Sequence, residues 1–221
     1  MQETMERNPG KPALVARYVH GKLQQLLKGG NEALTRSQLA QLRRGIGKAP
    51  GSQPELWDLT LEGMPADLSG VSGQPSWGEW AVHLALTLFA LHQQGRSWQT
   101  DCMHQPGMPL GQAVRRLAPT AEELPRIKRR FDQVVTADSP REAAHHLRGL
   151  ITMLAASGIP LDYPQLAQDF YRYQIPQERD RVRLKWGREF YAVPAAQDED
   201  PEKTENSQEQ MMMEEMNHEE Q

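Results

Sequence analysis

The sequence predicts an all-α fold, and three observations carry the prediction. Apolar residues recur at helical spacing, as in Ile127, Phe131, Val134 and Val135 at i, i+4, i+7 and i+8. Capping sequences stand just before such windows, Ser76-Trp77-Gly78-Glu79 and Ser139-Pro140-Arg141-Glu142. No stretch alternates with strand period over a useful length. The expected layout is a flexible leader (1–12), an N-terminal helical bundle (13–94), a linking loop (95–109), a C-terminal helical bundle (110–193) and a disordered acidic tail (194–221).

A first helix is expected over Ala13–Leu27, with Leu14, Val15, Tyr18, Val19, Leu23, Leu26 and Leu27 inward and Gly29-Gly30-Asn31 ending it. A second, near Thr35–Arg44, turns Leu39 and Leu42 inward and leaves Arg36, Arg43 and Arg44 for solvent. A short helix near Glu55–Leu61 carries Leu56, Trp57 and Leu59. Gly63 to Pro75 is rich in Gly, Pro and Ser and reads as a loop. The Ser76 capping box then opens a helix to about Gln94 that is apolar on nearly every side. Membrane spans need ~20 apolar residues, and Glu79, His83 and His92 leave too few here, so a buried central helix is expected.

Beyond the loop, Leu110–Leu117 and Pro125–Val135 carry the most basic helical sequence. The helix opened by Ser139 has Ala143, Leu147, Leu150, Ile151 and Leu154 as its apolar set, with Arg141 and Arg148 outside it. A helix from about Pro164 carries Leu166, Ala167 and Phe170, and Pro176 breaks it. The last, about Glu178–Tyr191, places Val182, Trp186 and Phe190 at i, i+4 and i+8.

The net charge of -4 conceals a division. Residues 197–221 hold ten acids and one base, a net of -9, which leaves +5 on residues 1–196. A basic body beside an acidic tail points towards phosphate-bearing partners. For the tail two readings stay open: it shields the basic face, or it only aids solubility. The single cysteine, Cys102, allows no internal disulfide and fits a reducing compartment. The first ten residues include acids and lack an apolar core, so no secretory signal is read there and a cytoplasmic protein is expected.

Enzymatic chemistry finds no support. The body's carboxylates are scattered, whereas two-metal phosphoryl chemistry needs them to converge. Cys102 and His104 lack the spacing that would complete a zinc site, and His145-His146 are adjacent rather than four apart. No third group suggests itself to orient a catalytic Cys–His pair. Gly45-Ile46-Gly47-Lys48 lacks the spacing of a nucleotide-binding loop. No enzyme, no metal and no cofactor are therefore expected.

The cations are the positive signal. Charge runs on helices commonly do no more than solvate an exposed face. Here, however, arginines recur in pairs at Arg43-Arg44, Arg115-Arg116 and Arg129-Arg130. Guanidinium forks match phosphate oxygens at two points, where lysine offers a point charge. Of the five tryptophans, Trp57, Trp80 and Trp186 sit among aliphatic residues at helical spacing and read as core. Trp77 and Trp98 stay open as stacking surfaces for bases.

The segments Leu91-His92-Gln93-Gln94, Leu110-Gly111-Gln112-Ala113-Val114-Arg115-Arg116-Leu117 and Arg129-Arg130-Phe131 follow one another in an order that resembles the CasB family, the small subunit of the type I-E CRISPR surveillance complex Cascade. The resemblance continues through Leu147-Arg148-Gly149-Leu150-Ile151 and Leu161-Asp162-Tyr163 to Trp186-Gly187-Arg188-Glu189-Phe190-Tyr191, covering about 77–191, with weaker support from Arg43-Arg44 and Trp57. The acidic tail departs from it. The resemblance implies a non-catalytic subunit, present in two copies beside the other Cascade subunits. Its basic face would contact the backbones of guide RNA, target DNA and the displaced strand, while base pairing reads sequence. The residues carried over are Arg43, Arg44, Arg115, Arg116, Arg129, Arg130 and Arg148, with Lys128, Lys185 and Arg188 as secondary candidates. The alternative is a helical scaffold for acidic partner proteins that touches no nucleic acid.

Overall fold

The computed structural model describes residues 10–28 and 31–192, so the leader before Gly10, the Gly29-Gly30 stop and the acidic tail lie outside the described residues. Among the described residues the fold is all-α, with no strand. The α-helices are α1 (Lys11–Lys28), α2 (Glu32–Arg44), α3 (Trp57–Thr60), α4 (Trp77–His92), α5 (Leu110–Arg115), α6 (Leu124–Val135), α7 (Pro140–Ser157), α8 (Tyr163–Tyr173) and α9 (Pro176–Tyr191).

Local chemistry fixes most boundaries. α4 begins where Ser76 Oγ accepts from the Glu79 N–H (3.0 Å) and the Glu79 carboxylate accepts from the Ser76 N–H (2.7 Å). Such a cap is worth ~1 kcal/mol. At α7, Ser139 Oγ accepts from the Glu142 N–H (3.2 Å) and Pro140 takes the first position, but Glu142 reaches back to the Asp138 N–H instead of closing the box on Ser139. α2 starts earlier than periodicity predicts, at Glu32, because the Asn31 side chain caps it by accepting from the Leu34 N–H (3.0 Å). Pro176 stops α8 and serves as the first residue of α9, where its missing N–H has no helical partner to lose. The Glu55–Leu61 helix is instead a 3-10 turn at Pro54–Leu56 followed by α3.

α4 is the axis of the fold. Every residue from Ala81 to Ala90 is buried, because α1, α2, α7 and α8 pack around it. α1 lies along α8, α5 along α9, and α6 along α7. Helices before and after residues 95–109 thus share one core, from Val15 and Val19 of α1 to Trp186 and Phe190 of α9. The 95–109 segment is itself held in place: Gln93 donates to the Asp101 carbonyl (3.0 Å) and accepts from the Met103 N–H (2.8 Å). Arg96 pairs with Asp101 and donates to the Ala155 carbonyl (2.8 Å). Met103 and Met108 are buried.

The apolar stripes read from the sequence face inward: Ile127, Phe131 and Val134 of α6, the five residues of α7, and Val182, Trp186 and Phe190 of α9 are all buried. Phe131 stacks on Phe190 with centroids 5.0 Å apart, and Trp186 stacks on Tyr173 at 5.5 Å. Trp57 departs from expectation. It is 48% exposed, its indole N–H donating to the Gly51 carbonyl (2.9 Å), since the 3-10 turn before it rotates the ring off the core side.

Candidate nucleic-acid interface

The paired arginines divide by what a guanidinium can reach from each helix end. Arg43 turns inward across α4 and donates to the Ala90 carbonyl (3.3 Å), where partial burial lowers its pKa. Its neighbour Arg44 is exposed. Arg115 likewise folds back on the Ala118 carbonyl while Arg116 is exposed. In these two pairs one cation satisfies a carbonyl and the other faces solvent.

On α6 both members face out. Arg126, Arg129 and Arg130 stand at i, i+3 and i+4 and are all exposed, alongside the buried stripe of Ile127, Phe131 and Val134. Lys128 differs, its ammonium pairing with Asp132 at 2.6 Å, which raises its pKa. On α9, Arg188 is exposed, sharing a face with exposed Arg181.

Lys185 is engaged elsewhere. Its ammonium pairs with Asp169, whose side chain is 3% exposed, and with Glu189 at 3.1 Å. The Trp186 N–H donates to the same Asp169 oxygen (3.2 Å), and the Gly111 N–H donates to Glu189 (3.3 Å). Burial raises the Glu189 pKa, with Lys185 pulling the other way. This network ties α5, α8 and α9 together, and a buried carboxylate needs such partners.

Arg148 opens onto a groove between the turn after α2, α4 and α7, with a volume of about 290 Å³. Trp80, Leu84 and Leu88 of α4 and Ala144 of α7 form its apolar floor, and Lys48, Arg141, His145 and Arg148 its rim. Arg141 lies over the Trp80 ring, Cζ 5.7 Å from its centroid. His83 at its edge is buried, which lowers its pKa, and its Nε2–H donates to the Gly45 carbonyl (2.9 Å). In the sequence, Lys48 stands out only as part of an incomplete nucleotide loop, and Arg141 only as a cation outside a stripe. Periodicity sets Arg141 seven residues before Arg148 on one face of α7, but it does not bring Lys48 or Trp80 to them, because the groove is assembled from three separate segments.

Among the described residues, no carboxylate lies within 4 Å of Arg44, Arg116, Arg126, Arg129, Arg130, Arg141, Arg148 or Arg188 in an ion pair. No ion pair among the described residues takes up their charge. Cys102 is half-buried, and burial raises its thiol pKa, which disfavours the thiolate. No three of His, Cys, Asp or Glu converge among the described residues. No helix among them is long and apolar enough to cross a membrane.

Comparison with known proteins places this geometry. The model of the CRISPR-associated protein Cse2 family matches residues 38–191. The crystal structure of CasB from Thermobifida fusca is similar at 38% identity and a TM-score of 0.67, over 81% of this chain and 98% of that one. CasB from Thermus thermophilus shares the fold at 22% identity and a TM-score of 0.56, over 82% of this chain and 98% of that one. A search of curated proteins finds no match. With the family model spanning most of the helical body and the Thermobifida structure matched nearly end to end, the chain belongs to the CRISPR-associated Cse2 (CasB) family.

Proposed function

We propose that this chain is the small, non-catalytic subunit of a type I-E CRISPR surveillance complex acting in the cytoplasm. Its role is to hold the backbones of guide RNA and of the target and displaced DNA strands, and so to stabilise the opened duplex. Its partners are the other Cascade subunits, the nucleic acids and a second copy of itself. The observation that carries the reading is the set of exposed arginines on α2, α6, α7 and α9 and just past α5 that have no intramolecular carboxylate partner among the described residues. Guanidinium groups held on rigid helices without internal counter-ions suit phosphate contacts that read no sequence. Arg44, Arg116, Arg129, Arg130, Arg148 and Arg188 are the proposed contacts. Arg43 is spent on a carbonyl near the end of α4 and Arg115 on the Ala118 carbonyl just past α5, and Lys128 and Lys185 contribute charge already shared with carboxylates.

The test is Arg129→Ala with Arg130→Ala, both exposed. DNA affinity should fall by a similar factor on unrelated sequences. The slope of log affinity against log salt should become shallower by about one for each phosphate no longer held. Unchanged affinity and slope would remove this pair from the interface. Absence of any binding by the intact chain, even at low salt, would favour the scaffold reading.

A further inference from the structure

We propose that the groove between α4 and α7 receives one unpaired nucleobase, with its flanking phosphates on the cationic rim. This makes single-stranded nucleic acid, rather than duplex, the ligand of this part of the surface. The inference rests on the backbone-binding reading above and adds to it a site for a base. A surface that meets only phosphates needs cations and no apolar recess. Here the rim of Lys48, Arg141 and Arg148 surrounds a floor of Trp80, Leu84 and Leu88, with no Asp or Glu in the lining.

The dimensions and charge fit this ligand. The volume of about 290 Å³ is at the lower end for a small-molecule pocket, room for one flat ring system rather than an extended ligand. The Arg141 guanidinium already lies over the Trp80 indole, 5.7 Å from its centroid. Together they present the cation–aromatic surface on which bases stack without regard to identity. Lys48 follows Gly47, whose φ of +77° folds the turn after α2 so that Lys48 stands at the groove edge. Paired bases stay stacked inside a duplex and cannot reach such a floor, whereas an unpaired base can leave its stack and enter.

The experiment compares binding of the full chain to an oligodeoxythymidylate and to an abasic strand of equal length and equal phosphate count. The intact strand should bind about tenfold more tightly, the scale of one stacked base. Oligouridylate run alongside tells DNA from RNA as the source of the base, and preference of either over its abasic counterpart supports the proposal. Ala144→Phe, which fills the floor and removes no charge, should abolish the preference while abasic-strand binding is kept. Its fold is checked by helical circular dichroism and melting. Should that variant not fold, photo-cross-linking of a 5-iodouracil strand to the unmodified chain decides, with Trp80 the expected adduct. Equal binding of intact and abasic strands, or cross-links that omit Trp80, would overturn the groove proposal while leaving the backbone reading intact. Failure of both strands to bind at low salt would overturn both.

Discussion

Trp186→Ala is expected to destabilise the fold by about 5 kcal/mol, the upper end for removing a large aromatic from a core. The indole is 0% exposed and stacks on Tyr173, so truncation leaves a cavity between α8 and α9. It also removes a hydrogen bond from Asp169, a carboxylate that cannot turn to water. Urea unfolding monitored by helical circular dichroism would show the loss as a lower midpoint at unchanged slope. Trp186→Phe keeps a ring to stack on Tyr173 but loses the N–H and part of the bicycle, so its cost should fall between wild type and alanine. A loss below ~1 kcal/mol for the alanine variant would mean that α9 is not packed as described.

Gly111→Ala should be nearly as damaging, although it adds a single methyl group. A Cβ at this position would collide with the Trp186 carbonyl oxygen and stand 2.6 Å from the Phe190 backbone nitrogen. Both are backbone atoms of α9, so no rotamer relieves the clash and α5 must move away. The Gly111 N–H would then lose Glu189 as acceptor, and the Lys185–Glu189–Asp169 network would loosen. A cost of about 3 kcal/mol is expected, the upper range for overpacking. Gly149→Ala is the control. Nothing lies within 4 Å of its Cβ position in α7, so alanine there should stabilise by up to ~1 kcal/mol. If the two substitutions had equal effects, the close approach of α5 to α9 would be refuted.

Sequence alone carries the helices well where one-dimensional periodicity and capping chemistry decide the outcome. The stripes of α6, α7 and α9 and the caps at Ser76 and Ser139 need only neighbours within a few residues. Asn31 is equally legible as a cap and as the end of the preceding helix, since Asn serves both ends, and only the folded chain shows it capping α2. Trp57 escapes the helical reading because a 3-10 turn changes the angular spacing that places a ring inward.

The candidate interface is legible in composition but not in geometry. Whether Arg43 or Arg44 turns inward depends on the Ala90 carbonyl, 47 residues away in sequence. Lys185 reads as one more surface cation until Asp169 appears beside it in space. The groove joins Lys48, Trp80, Arg141 and Arg148 from segments whose approach is set by how α4 and α7 pack, information that no local pattern contains.

Helices that hold exposed guanidinium groups against sugar-phosphate chains should bind through charge and ignore sequence. The most direct measurement of this is the salt dependence of the full chain's affinity for two DNAs of unrelated sequence. Nearly equal affinities and steep parallel losses with rising salt are expected, with log–log slopes of about -0.9 for each duplex phosphate neutralised. A slope near zero, or strong preference for one sequence, would contradict it.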